Sequence, residues 1–318
     1  MSNDLESFVA ASKFPWKVIS QHHKIFQNGK IIPYHIQFIP TNRCNAKCEW
    51  CSCSKVDRAI EMSYEESLDM LQYFHELGTK AITITGGGEP SIHPNIKNII
   101  ETCASLGIKV GVVTNGLKWN RDPDIDYLNR AVTWMRLSII DTIGRTGNYD
   151  IGILTRLAAK LPNVALGVSF TVASEVNLTT AIQICDEAET LPNVTHIRFV
   201  QDILNPNYET MNMIQGVCGG SNKAIFQFRS EFTKGNKDCR ISLLKPVIDA
   251  SGYVFPCCGV QYATSDTNRM PESFRMCRWQ DFHKINHFNG TRCFKCYYND
   301  YNDALAHLSN KLEHEEFV

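Results

Sequence analysis

The sequence predicts an α/β fold, a partial (β/α)6 TIM-like barrel followed by a small cysteine-rich α+β module. Two observations predict it. From residue 34 to about residue 204, strand-like apolar runs alternate with helical patterns, six strands in all, which implies parallel βαβ units wound right-handedly. After residue 236 that rhythm is gone, and short strands such as "GYVF" stand among cysteines. Parallel units of this kind carry their functional loops at the carboxyl ends of the strands.

Taken in order, "YHIQFI" (34–39) is the first strand and leads into a cysteine-rich loop. "SYEESLDMLQYFHELG" (63–78) is a helix, with Ser63 as N-cap, Glu66 three residues on and Gly78 as the stop. "AITIT" (81–85) is a strand, "PNIKNIIETCASLG" (94–107) a helix and "KVGVVT" (109–114) a strand. The pairs "DIDYLNRA" and "WMRLSI", "IGILTRLAAK" and "ALGVSFTV", "LTTAIQICDEAET" and "THIRFV" continue the alternation. This gives an N-terminal extension (1–33), the partial barrel (34–204), a linker (205–236) containing "NPNYETMNMIQGVCGGSNK", and the cysteine-rich module with its tail (237–318).

The 318 residues are 43% hydrophobic and 20% charged, enough apolar material for a sizeable core. A net charge of −1 excludes a global field for nucleic acid or acidic membranes. The start lacks a basic segment followed by an apolar one, and no apolar run has membrane-helix length, so the expected compartment is the cytoplasm, with no membrane partner. In a reducing compartment, 13 cysteines argue for metal or redox chemistry rather than disulfides.

"TNRCNAKCEWCSCS" (41–54) spaces Cys44, Cys48 and Cys51 as CxxxCxxC. Three thiolates from one loop suit three irons of a cubane and leave the fourth without a protein ligand, open to a substrate or cofactor. Structural zinc wants four ligands, usually in paired knuckles, which this loop does not offer. With Trp50 before the third cysteine and "GGGEP" after the second strand, residues 34–200 resemble the radical S-adenosylmethionine (SAM) superfamily. The resemblance implies a SAM-chelating 4Fe–4S cluster on Cys44, Cys48 and Cys51, with Trp50 near the adenine. It implies that Gly86, Gly87, Gly88 and Glu89 bind the methionine ammonium. "RLSIID" then offers Ser138, and more weakly Asp141, to the ribose, and Arg198 in "HIRFV" meets the SAM carboxylate or the substrate. "TNG" (114–116) touches SAM or is a simple turn, and Cys103 and Cys185 read as small core residues.

Cys239, Cys257, Cys293 and Cys296, with Cys258 as an alternative to Cys257, resemble the shortened SPASM or "twitch" module and its single auxiliary 4Fe–4S cluster. Zinc is the alternative for four thiolates. Cys218, between glycines in "QGVCGGS", is either a hydrogen donor to a substrate radical or a linker cysteine without a role. Residues 269–295 interleave six Lys/Arg and five Phe/Trp with two acids, suiting either a nucleobase or phosphate ligand or the surroundings of an anionic cluster.

Membership implies reductive cleavage of SAM to a 5′-deoxyadenosyl radical, and an electron donor such as flavodoxin or ferredoxin. The expected reaction is oxidation of a small molecule by way of the auxiliary cluster. Redox-neutral rearrangement or epimerisation of a nucleotide or peptide is the alternative. A non-catalytic iron–sulfur or zinc-binding protein is the reading from another class.

Overall fold

A computed structural model of the chain describes residues 15–48, 50–139, 150, 152–172, 178–203, 205–228, 233–263 and 268–309. Helices α1 (Trp16–Ser20) and α2 (His22–Ile25) lead into a hairpin of β1 (Phe26–Gln27) and β2 (Lys30–Ile31). Asn28 and Gly29 close it at φ 50° and 74°, the left-handed pair that a tight hairpin turn requires.

The alternation then runs through β3 (His35–Phe38), α3 (Tyr64–Glu76), β4 (Ala81–Ile84), α4 (Ile96–Ser105) and β5 (Lys109–Thr114). It continues with α5 (Asp126–Ala131), β6 (Val132–Ile139), α6 (Gly152–Lys160), β7 (Ala165–Val172), α7 (Leu178–Thr190) and β8 (Val194–Gln201). The Ser63 hydroxyl accepts from the Glu66 amide at 3.1 Å, and Gly78 stops α3 at φ 98°. Glu66 does not close a reciprocal box: its carboxylate takes Arg278 at 2.8 Å and the Trp279 indole at 3.1 Å.

Residues 205–236, expected as a linker, hold α8 (Tyr208–Cys218) and β9 (Ala224–Gln227), which pairs parallel to β8. Met211, Ile214 and Cys218 recur at helical spacing and are buried. After α9 (Ile241–Leu244), β10 (Val247–Ile248) pairs parallel to β3, and β11 (Tyr253–Phe255) and β12 (Cys277–Arg278) follow antiparallel. The chain's last described helix is α10 (Asn299–Ser309). One ten-stranded sheet results, in the order β12-β11-β10-β3-β4-β5-β6-β7-β8-β9.

The helices cover one face. Along β6, Met135, Leu137 and Ile139 are buried in the main core, while Trp134, Arg136 and Ser138 alternate with them and keep solvent access. The opposite, inner face is largely polar, with Thr83, Ser169 and His196 buried on it, and it positions the site. Among the described residues, no helix is long and apolar enough to cross a membrane.

Candidate active site

The loop after β3 carries Cys44, Cys48 and Cys51, all half-buried free thiols. The Cys51 amide bonds the Cys48 carbonyl at 3.3 Å in a turn that sets the last two cysteines together, and Cys44 Sγ accepts from the Ala46 amide at 3.4 Å. Burial, with the nearby charges of Cys51 and Cys44, pushes the Cys48 thiol up to about 12, and burial raises Cys44 as well. A cationic group ligated by these sulfurs would relieve the burial and repulsion that raise Cys48 and Cys44.

GGGEP follows β4 and docks directly on this loop. The Gly88 amide bonds the Thr41 carbonyl at 3.0 Å and the Glu89 amide the Arg43 carbonyl at 2.7 Å. A Cβ at Gly87 would stand 2.1 Å from Asn42 Oδ1, and one at Gly88 1.9 Å from the Arg43 carbonyl oxygen. The glycines are needed for this close approach. Arg58, a residue the sequence did not single out, closes the assembly. Its Nη1 donates to the carbonyls of Asn42 (2.9 Å) and Gly87 (2.7 Å), and its Nη2 to that of Cys53 (3.0 Å) and toward Cys51 Sγ (3.9 Å).

Glu89, expected to face an ammonium, is only 2% exposed and is engaged by the chain itself. Its Oε1 accepts from Thr114 Oγ1 (2.5 Å) and the Ser91 amide (3.0 Å), and its Oε2 from the Asn115 amide (2.8 Å). Burial nevertheless raises its pKa. Asn115 Nδ2 in turn donates to Asn45 Oδ1 at 2.8 Å, so the TNG turn after β5 is tied both to GGGEP and to the cysteine loop.

Ser138 pairs in register with Ser169, and Ser169 with Arg198, a polar row near the carboxyl ends of β6, β7 and β8. Arg198 Nη2 donates to Ser169 Oγ at 2.9 Å. Trp50 is half-buried on the cysteine loop, and Asp141 lies outside the described residues.

Residues 38–141 match the radical SAM superfamily. This region is a radical SAM domain. The chain is 29% identical over 137 residues to a PqqA peptide cyclase from Streptomyces rochei, covering 42% of this chain and 37% of that relative. It is also 29% identical over 139 residues to an S-adenosylmethionine-dependent nucleotide dehydratase from Flammeovirga pacifica, covering 41% of this chain and 46% of the relative. It spans less than half the length of either. In fold it is similar to Streptococcus suis SuiB, with a TM-score of 0.59 and 13% identity, over 87% of this chain and 71% of that one.

Beyond the radical SAM domain, Cys239, Cys257, Cys293 and Cys296 line one cavity. Gly235 and Gly290 let its walls close: a Cβ on Gly235 would meet the Gly290 carbonyl oxygen at 2.2 Å, and one on Gly290 the Asn236 carbonyl oxygen at 2.9 Å. Cys258 is not among the lining residues; its Sγ lies 3.5 Å from the Tyr298 hydroxyl. Among the described residues, no three His, Cys, Asp or Glu side chains are grouped to hold a single metal ion.

Cys218 does not sit on an open linker. It ends α8, is 2% exposed and hydrogen-bonds Cys185 of α7, which lowers the pKa of the Cys218 thiol and raises that of Cys185. Because α8 runs back toward the start of β9, Cys218 lies at the end of the sheet away from the cysteine loop. The 269–295 stretch uses many of its cations internally: Arg275 and Arg278 lie over Tyr253 at 4.2 and 5.1 Å, and Arg292 over Phe274 at 5.1 Å. Arg278 also pairs with Glu66. It fastens the last strands to the sheet.

Proposed function

We propose that the chain is a radical SAM enzyme that oxidises a small molecule with the help of a second iron–sulfur group. The observation that carries this reading is the docking of the GGGEP amides and Arg58 onto the loop of Cys44, Cys48 and Cys51. Those three thiols would hold a 4Fe–4S cluster, which when bound supplies the electron that splits SAM into methionine and a 5′-deoxyadenosyl radical. The chain's own part is placement. The glycine carbonyls take the methionine ammonium, Trp50 borders the adenine, and Ser138 and Arg198 take the ribose and carboxylate at the strand ends.

Cys239, Cys257, Cys293 and Cys296 would hold the auxiliary cluster, in a twitch-like module added to the β3 edge. Four thiols around one cavity suit such a cluster, and zinc is the alternative for the same four ligands. An external donor such as flavodoxin or ferredoxin would deliver the electron. The relatives' names put nucleotides and peptides among the substrate classes.

Anaerobic reconstitution tests the proposal. The protein should hold about eight irons and form 5′-deoxyadenosine from SAM under dithionite. Alanine at Cys44, Cys48 and Cys51 together should halve the iron and abolish cleavage. Retained cleavage in that variant sinks the assignment, and a redox-neutral product from the true substrate sinks the oxidation.

A further inference from the structure

The cavity of Cys239, Cys257, Cys293 and Cys296 carries one polar side chain whose orientation the fold dictates. Asn302 stands near the start of α10, lines that cavity and is 2% exposed. Its Oδ1 accepts from the Ile241 amide, at the first residue of α9, at 2.8 Å. A backbone N–H can face only the oxygen of a carboxamide, so this bond fixes which end of the group points which way. The nitrogen end is turned from the Ile241 amide. Nδ2 is buried with no hydrogen-bond acceptor in place, and the Asn302 side chain is near enough to Cys239 to act on its thiol.

A buried N–H without an acceptor is costly, and native interiors rarely hold one without a reason. Much of the remaining wall is apolar, from Ile241, Pro256, Val260 and Phe288, so a hydrogen bond made there is little screened by water. The glycines bring the wall close to the thiols. A Cβ on Gly235 would stand 2.9 Å from Cys293 Cβ, and one on Gly290 3.3 Å from Cys239 Cβ. The sulfurs of a cluster and its cysteinates accept hydrogen bonds and donate none, which is the chemistry that Nδ2 lacks.

We infer that Asn302 donates a hydrogen bond from Nδ2 to the Cys239 sulfur of the auxiliary cluster and raises the reduction potential of that cluster. This rests on the auxiliary-cluster reading proposed above. An N–H aimed at a cysteinate favours the state with the extra electron, because the acceptor sulfur carries more negative charge there. Oxidation of a substrate requires an acceptor of sufficient potential, so Asn302 serves the proposed reaction through Cys239 and without touching substrate.

The test is a dithionite titration, followed by EPR, of the full chain with Cys44, Cys48 and Cys51 replaced by alanine, so that the auxiliary cluster is the only iron present. That protein should hold about four irons. On this background Asn302→Leu should weaken reduction of the cluster roughly three- to tenfold, a fall of about 28–59 mV for a one-electron couple. Asn302→Asp separates donation from scaffolding. It keeps an acceptor for the Ile241 amide but puts a carboxylate oxygen where the N–H was. Its potential should fall at least as far, with circular dichroism unaltered, and it carries the test alone if Asn302→Leu does not fold or loses its iron. A role confined to holding α9 leaves the Asn302→Asp potential at the background value, and that result overturns the inference while the cluster stands. A background protein without iron overturns the auxiliary-cluster reading, and the inference falls with it.

Discussion

Replacing Arg58 by methionine tests how the active-site loop is held. Its guanidinium donates to three carbonyls, of Asn42, Gly87 and Cys53, at 2.9, 2.7 and 3.0 Å. Hydrogen bonds from a charged donor contribute about 1.5–3 kcal/mol each, so the three at the low end sum to about 4.5 kcal/mol. The side chain is half-buried and water can replace part of that, which leaves about 2–3 kcal/mol. Loss of this tie frees the cysteine loop from GGGEP without touching a thiol. The assay is iron retention against a chelator, alongside hydrogen exchange of residues 41–60. Arg58→Met should lose the iron bound by Cys44, Cys48 and Cys51 and exchange that segment roughly 30- to 150-fold faster, the Boltzmann factor for 2–3 kcal/mol. Arg58→Lys should be intermediate, because an ammonium keeps the charge but not the fork. Equal retention and equal exchange in Arg58→Met would refute the reasoning.

Gly88→Ala should cost about 2 kcal/mol or more, because its Cβ would meet the backbone oxygen of Arg43. Gly216→Ala in α8 meets nothing within 4 Å and should gain about 0.5–1 kcal/mol, both measured by urea unfolding. Glu89→Gln should cost about 1–3 kcal/mol at neutral pH, since an amide cannot replace both acceptor oxygens. Because burial raises the Glu89 pKa, the folded chain holds this proton more tightly, and the group's contribution to stability falls as pH rises from the ordinary carboxylate value through the raised one. Glu89→Gln should flatten that part of the unfolding profile; an unchanged slope would place the titration elsewhere. Cys218→Ala should lower stability by about 1 kcal/mol and leave 5′-deoxyadenosine formation intact, and loss of turnover without loss of stability would return Cys218 to the reaction.

The legible parts of this chain are those governed by near neighbours. Ser63 caps α3 and Gly78 ends it because both act within one helical turn. CxxxCxxC was visible for the same reason. Arg58 was not, since its partners are carbonyls from residues 42, 53 and 87, which sequence pattern does not mark. Ser138 and Arg198 were each recognisable on their strands, but Ser169, which stands between them, depends on strand register across β6, β7 and β8. In 205–236 the glycines flanking Cys218 masked the helical spacing of Met211, Ile214 and Cys218. The cations of 269–295 looked available because Tyr253 and Glu66, which engage Arg278, lie far away in sequence.

Pairing of β10 with β3 joins the C-terminal module to the strand that leads into the cysteine loop. β10 runs parallel to β3, so the chain returns to the strand that presents Cys44, Cys48 and Cys51 at its carboxyl end. β11 then reverses, with Phe255 level with Val247 and hence with Gln37, and carries Cys257 toward the opposite end of β3. Lys245, just before β10, feels both Cys257 and Arg136, which places it where the C-terminal module meets the inner face. A tie also runs along the edge, since the buried Cys53 thiol reaches the Gly86 carbonyl at 3.6 Å and Gln261 Oε1 at 3.5 Å. Through Cys53 the C-terminal module thus touches GGGEP.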